Sequence, residues 1–267
     1  MDNLDKKSIL ITGGATGLGF AMAKRFSEKG AFVTICGRRK EKIDEAVSNL
    51  KVNSIGIVAD VTDEEDRDRI INQTIEHGGK IDVLINNAGN MYRGNIDELE
   101  ESKLIEIFNS NVISGMLLLG KAKQYLKETE GVNIFIGSVH NRRAFPGASP
   151  YAATKGALET LTKVLAAELG KDKIRVNCVV PGAIFTEINQ RAGLFDDDQA
   201  KKRLDSMAKI HALGEIGIPE DIAEAVEYLI SARWTTGAIL DVDGGLGLGL
   251  TEDQLYWKTR NTSINCN

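Results

Sequence analysis

The sequence predicts an α/β fold, a doubly wound parallel β-sheet with helices on both faces, and three observations carry that expectation. Short apolar runs rich in β-branched residues alternate with longer amphipathic stretches, the rhythm of successive βαβ units. Runs such as Val83-Leu84-Ile85 and Ile134-Phe135-Ile136 offer no polar face to water, so both sides of those strands must be covered. Glycine is frequent, at 27 residues, and proline scarce, at 4, which suits tight strand-to-helix turns.

The strands are expected at 8–12, 32–36, 54–59, 83–86, 132–137, 175–180 and 238–242, and the helices at 17–29, 40–50, 64–77, 99–127, 151–169 and 219–230. Thr62 or Asp63 is placed to cap the third helix. Pro219-Glu220-Asp221 sets proline and two acids in a first turn, where free N–H groups and the helix dipole favour them. No repeat or low-complexity linker divides the chain, so 1–267 is read as a single domain. The rhythm breaks at about 183–217, which follows a strand and holds Asp196-Asp197-Asp198; it is read as a substrate loop, against the plainer reading of a helical insertion. A C-terminal tail occupies 248–267, with Leu255, Tyr256 and Trp257 apolar enough to dock.

Lys and Arg total 33 against 38 Asp and Glu, a net charge of -5, which argues against nucleic acid and anionic membranes as partners. The first apolar run, Ile9-Leu10-Ile11, is far short of a signal-peptide core or a membrane span, so a soluble cytoplasmic protein is expected. Cys36, Cys178 and Cys266 form neither a disulfide framework nor a zinc motif, and the three histidines have no metal-ligand spacing, so no metal is expected.

The first predicted strand runs into Thr12-Gly13-Gly14-Ala15-Thr16-Gly17-Leu18-Gly19 and then an amphipathic helix. A pyrophosphate can rest on a helix N-terminus when the turn is tight and no side chain blocks the backbone, so this glycine turn, Thr16 included, is a candidate dinucleotide site. The second strand ends in Cys36-Gly37-Arg38-Arg39, with a guanidinium where an acid would bind ribose hydroxyls. Arg38 and Arg39 can pair with a 2'-phosphate, which favours NADP(H) over NAD(H); the competing reading makes Arg38, Arg39 and Lys40 a solvated helix start. Farther on, Tyr151 and Lys155 stand four residues apart, on one face of a predicted helix, where an ammonium near a phenol lowers its pKa toward acid/base work near neutrality.

Taken together, Thr12 to Gly19, Asp60-Val61, Asn86-Asn87-Ala88-Gly89, Asn111, Ser138, Tyr151, Lys155 and Pro181-Gly182 resemble, in order and context, the short-chain dehydrogenase/reductase family and its Rossmann fold. The likeness extends over about 7–245 and includes Pro219 to Ala223 and Val242-Asp243-Gly244-Gly245. It implies that Tyr151 is the general acid or base, that Ser138 binds the substrate oxygen, and that Lys155 holds the nicotinamide ribose and depresses the Tyr151 pKa. Asn111 would fix a water linking Lys155 to a proton relay. It assigns Gly13, Gly17, Leu18 and Gly19 to the pyrophosphate and Asp60 and Val61 to the adenine. Asn87 and Gly89 fall beside the adenosine ribose, and Pro181, Gly182, Ile184 and Thr186 beside the nicotinamide. Asp60 is equally a helix-capping acid and Asn87 a strand-end turn residue.

The function expected is NADP(H)-dependent interconversion of a secondary alcohol and a ketone, on a 3-oxoacyl thioester, a sugar or polyol, or a hydroxysteroid-type substrate. The alternatives are an NAD-linked dehydrogenase and a non-catalytic dinucleotide sensor. Arg93, Arg142 and Arg143 offer positive charge to an anionic substrate or, more plainly, are solvated or subunit-contact residues. Family members pair their long helices in dimers and tetramers, so a homotetramer, or a homodimer, is the expected assembly.

Overall fold

A computed structural model of the chain describes residues 4–184 and 206–250. Seven strands, β1 (Ser8–Thr12), β2 (Phe32–Gly37), β3 (Ser54–Val58), β4 (Val83–Asn86), β5 (Val132–Ile136), β6 (Arg175–Pro181) and β7 (Ile239–Val242), form one sheet in the order β3-β2-β1-β4-β5-β6-β7. Every pairing is parallel. The order reverses between β1 and β4, and such a crevice beyond the strand carboxyl ends is where open α/β sheets bind ligands.

The period-2 alternation of each strand decides which core its side chains join. Ile9, Ile11, Val33, Ile35, Ile85, Ile134 and Ile136 face one side, under Met22 and Phe26 of α1 (Gly17–Glu28) and Ile222 and Val226 of a C-terminal helix, Pro219–Ser231. Leu10, Leu84, Phe135, Val176 and Cys178 face the other. There they meet Ile70 and Ile71 of α3 (Glu64–Gly78), Leu118 and Leu119 of α5 (Ser114–Glu128) and Leu158 of α6 (Ser149–Leu169). Fully burying one such Leu, Ile or Phe side chain contributes about 1.5–3 kcal/mol, so the two layers hold the sheet rigid beneath its carboxyl edge. The short helix α2 (Lys40–Ser48) covers the β2–β3 end through Ile43 and Ala46.

Local chemistry sets the helix ends. Asp63 caps α3 by accepting from the Asp66 N–H at 2.9 Å, and Gly79 ends it in the left-handed region. The Asp221 carboxylate accepts the Ile218 N–H at 2.8 Å at the start of the Pro219–Ser231 helix, which becomes α7. One element departs from the sequence expectation: the helix expected over 99–127 is a broken series. Glu100 is extended and donates its N–H to Tyr92 Oη at 2.9 Å, so α4 starts only at Glu101 and runs to Phe108. A π turn, Asn109–Ile113, then separates α4 from α5, with the Ser114 N–H donating to Asn109 O. An inserted residue of this kind is invisible to hydrophobic periodicity and is often found at functional sites.

Candidate active site

The carboxyl ends of β1, β2 and β3 and the start of the β4 loop enclose a cleft of about 380 Å³. It is lined by Gly13, Thr16, Arg38, Arg39, Asp60, Val61 and Gly89 of the anticipated set, and also by Lys42, Thr62, Asn90 and Ser110. Backbone approach explains the glycines. Gly13 has φ +62°, and a Cβ there would lie 3.0 Å from Ala88 Cα; a Cβ on Gly19 would overlap the Gly13 carbonyl oxygen. Gly17 opens α1, whose first N–H groups have no partner inside the helix, while Leu18 packs against the core. The turn is thus a cradle with no side chain where a phosphate oxygen would meet N–H groups, which fits a dinucleotide.

The Asn87 side chain reaches back to the β1 turn. Its Nδ2 donates to the carbonyls of Thr12 at 2.9 Å and Gly13 at 3.0 Å, while Thr12 Oγ1 accepts the N–H groups of Asn87 and Ala88. This side chain braces the β1 turn, and the β4 loop meets the cleft through Ala88, Gly89 and Asn90. Asp60 takes both a turn role and a cleft role: Oδ1 accepts from the Thr62 N–H and hydroxyl, and Oδ2 faces Arg38 Nη1 at 3.7 Å. Arg38, Arg39 and Lys42 bring three cations to the cleft wall, which also carries the acids Asp60 and Glu106. Lys42 sits in the first turn of α2, four residues after Arg38, and that proximity was its only sequence signal.

Beyond β5, Ser138 caps a short 3-10 turn, Val139–Asn141, and its hydroxyl stands near enough to Tyr151, in the first turn of α6, to favour the phenolate. Tyr151 and Lys155 are both buried, and the Lys155 ammonium lies 5.5 Å from the phenol ring centroid. Lys155 Nζ donates to Ile136 O at 2.8 Å, which ties the end of β5 to α6. Burial lowers the Lys155 pKa from 10.5 to about 8, because the charged form has lost its water.

The expected depression of the Tyr151 pKa by Lys155 is not what this arrangement produces. Burial raises the Tyr151 pKa above its ordinary value and outweighs two lowering influences, the Ser138 hydrogen bond and the charge of Arg93. Asn111, in the π turn, spends its amide on Asn90 O at 2.9 Å and Thr154 Oγ1 at 3.1 Å, and its Oδ1 on the Asn90 N–H at 2.7 Å. Gly89 packs tightly against it: a Cβ there would lie 3.1 Å from Asn111 Oδ1.

Pro181 ends β6, and Gly182 and Ile184 line a cavity of about 590 Å³ with Val242 and Asp243. A Cβ on Gly182 would lie 2.6 Å from Asp243 Cα, so this glycine is required by packing. Thr186, most of the 183–217 loop and the tail beyond residue 250 lie outside the described residues. Of the arginines, Arg142 pairs with Glu159 at 2.7 Å and Asp241 at 3.1 Å, and Arg143 donates to the carbonyls of Leu246 and Leu250. Both have structural partners. Arg93 Nη2 meets His140 Nε2 at 3.0 Å.

The class defined by this fold and site is that of an oxidoreductase built on a dinucleotide-binding sheet, and comparison with known proteins agrees. A family model described as enoyl-(acyl carrier protein) reductase matches residues 13–247. Dehydrogenase/reductase SDR family member 4 of Caenorhabditis elegans is 34% identical over 249 residues, 90% of this chain and 95% of that protein. The human protein of the same name is 34% identical over 251 residues, 91% of this chain and 88% of that one. A Caenorhabditis elegans short-chain dehydrogenase/reductase solved with cofactor superposes with a TM-score of 0.87 at 31% identity, over 95% of this chain and 99% of that one. A 3-ketoacyl-(acyl-carrier-protein) reductase from Brucella melitensis complexed with NADH gives 0.83 at 32% identity, over 91% and 99%. The chain belongs to the short-chain dehydrogenase/reductase family.

Proposed function

We propose that this protein is an NADP(H)-dependent oxidoreductase interconverting a secondary alcohol and a ketone, with Tyr151 as the general acid in reduction and base in oxidation. The observation that carries the reading is the buried group of Ser138, Tyr151 and Lys155 at the carboxyl edge of the sheet, next to a glycine-lined cleft. Bound nicotinamide supplies the hydride. Gly13, Thr16, Gly17 and Gly19 would hold the pyrophosphate, Asp60 and Val61 the adenine end, and Lys155 the ribose.

During reduction negative charge develops on the carbonyl oxygen. The Ser138 hydroxyl donates to that oxygen and Tyr151 Oη delivers the proton to it, in a site whose burial strengthens both interactions. Lys155, anchored by Ile136 O, keeps a cation beneath the phenol, and Asn111 holds the π turn behind them. The raised Tyr151 pKa keeps the phenol protonated at neutral pH, which is the form that reduction consumes.

The cations Arg38, Arg39 and Lys42 support NADP(H). A second reading, an NAD-linked dehydrogenase, is supported by the Arg38–Asp60 pair, which gives the guanidinium a partner already. The substrate is a small carbonyl compound or alcohol. With Arg142 and Arg143 tied to structural partners, an uncharged substrate suits the site better than a carrier-protein thioester. Ile105, Ile113, Met116, Leu117 and Val164 are exposed on α4 to α6, which supports assembly as a homotetramer or homodimer.

The test is titration of NADPH and NADH, followed by NADPH oxidation against ethyl acetoacetate, diacetyl, cyclohexanone and acetophenone. Tighter NADPH binding with turnover of any of these supports the reading. The double variant Gly37→Asp with Arg38→Ile should move the preference toward NADH, because a Cβ on Gly37 meets only Ile43 Cδ1 at an ordinary 3.5 Å. An unchanged preference contradicts the phosphate assignment.

A further inference from the structure

Two side chains outside the Ser138, Tyr151, Lys155 and Asn111 set stand in line with Ser138. His140 Nδ1 lies 3.0 Å from Ser138 Oγ, and its other nitrogen, Nε2, lies 3.0 Å from Arg93 Nη2. The ring packs between Phe145 at 4.5 Å and Tyr151 at 5.1 Å, edge-on to the phenol. The loops that carry Arg93 and His140 are laced together by the Gly94 N–H donating to Gly147 O at 3.0 Å.

Donor and acceptor chemistry fixes the protons along this line. A guanidinium has donors only, so Nε2 must present its lone pair to Arg93 and the ring proton must sit on Nδ1. Nδ1–H then donates to Ser138 Oγ. The His140 backbone N–H also points to that oxygen, at 3.4 Å. A serine hydroxyl accepts through two lone pairs and donates one hydrogen. With both lone pairs engaged, the single Ser138 hydrogen can go only toward Tyr151 or the substrate oxygen, and Tyr151 cannot lose its own hydrogen bond backward into Ser138.

We propose that His140 and Arg93 are positioning residues: Arg93 holds His140 as the Nδ1–H tautomer, and His140 makes Ser138 an obligate donor, which leaves the Tyr151 proton for the substrate. The proposal rests on the assignment of Ser138 and Tyr151 above and adds two residues to it. Neither acts on the substrate directly.

Because the chain has only three histidines, ¹⁵N-histidine labelling with long-range proton–nitrogen correlation resolves each ring, and the H140F spectrum assigns His140. The expected result at neutral pH is an Nδ1–H neutral ring in the wild type, lost in R93M and kept in R93K, which also has donors only. An Nε2–H ring or an imidazolium in the wild type overturns the proposal. This arm needs no substrate, so it stands or falls separately from the enzymatic reading, which fails if the wild type turns over no ketone.

In the kinetic arm, with the ketone that the wild type reduces fastest, H140F keeps the ring packing but loses both nitrogens. It should lower kcat about 10-fold, the scale of one misdirected hydrogen bond, with NADPH affinity unchanged. H140N, whose amide can reach the Nδ1 position, should recover kcat to within about 3-fold of the wild type. Equal losses in H140F and H140N, or no loss in either, overturn the proposal.

Discussion

Asn111 Nδ2 donates to Thr154 Oγ1 at 3.1 Å, and Thr154 Oγ1 donates in turn to Tyr151 O at 2.8 Å. This contact fastens the π turn to the helix carrying Tyr151 and Lys155. Thr154 is fully buried, one residue before Lys155, so its hydroxyl has no water to fall back on. T154V keeps the shape and removes the bond. It should cost about 1–3 kcal/mol of stability through the one Asn111 amide N–H left unpaired, and reduce kcat more than it weakens NADPH binding. T154S should retain both. Thermal melts and steady-state kinetics of the pair check this, and a T154V protein equal to wild type in kcat contradicts the coupling.

Burial dominates the Tyr151 phenol, whose pKa lies above the ordinary value of 10.0. Subtracting the phenolate absorbance of Y151F from that of the wild type isolates this one ring among five tyrosines. Its ionisation is expected above pH 10.0 in the free protein, so reduction should proceed at neutral pH while alcohol oxidation by the free enzyme keeps rising into the alkaline range. An ionisation near neutrality contradicts this.

Lys155 gives a stability test with a defined sign. Its pKa falls from 10.5 unfolded to about 8 folded, so between those values the unfolded chain holds a proton that the folded one has released. Stability therefore rises with pH across that window, and the cost of burying the charge is fully present below about 8. K155M removes that cost, which is about 3 kcal/mol, and loses about 1 kcal/mol at the Ile136 carbonyl. The variant should be more stable than wild type at neutral pH, by a margin that shrinks as pH rises, while its NADPH affinity falls. Urea melts across the pH range check it. A variant less stable at neutral pH, or a margin independent of pH, contradicts the assigned burial cost.

The sheet was legible because its strands are covered on both faces: Val83-Leu84-Ile85 and Ile134-Phe135-Ile136 could be nothing but central strands, and they are β4 and β5. The glycine turn was legible because only glycine tolerates the Gly13 geometry and the contact at Gly19. The π turn was not, since one extra residue shifts no hydrophobic pattern enough to show. Partners of polar side chains were also hidden. Nothing in the sequence says that the Asn87 amide turns back onto Thr12 and Gly13, that Arg142 is matched by Glu159, or that Arg93 meets His140 across 47 residues. Each of those pairings exists only once segments far apart in sequence lie side by side at the carboxyl edge of the sheet.

The central claim is that the Tyr151 phenol delivers the proton in carbonyl reduction, and Y151F tests it most directly. NADPH binding and ketone reduction are measured on the same preparation, beside the wild type. The expected result is a loss of kcat of about 100-fold or more with NADPH affinity nearly intact, because the phenol acts in the chemistry and not in holding the cofactor. A Y151F protein that binds NADPH and retains near-full kcat contradicts the assignment.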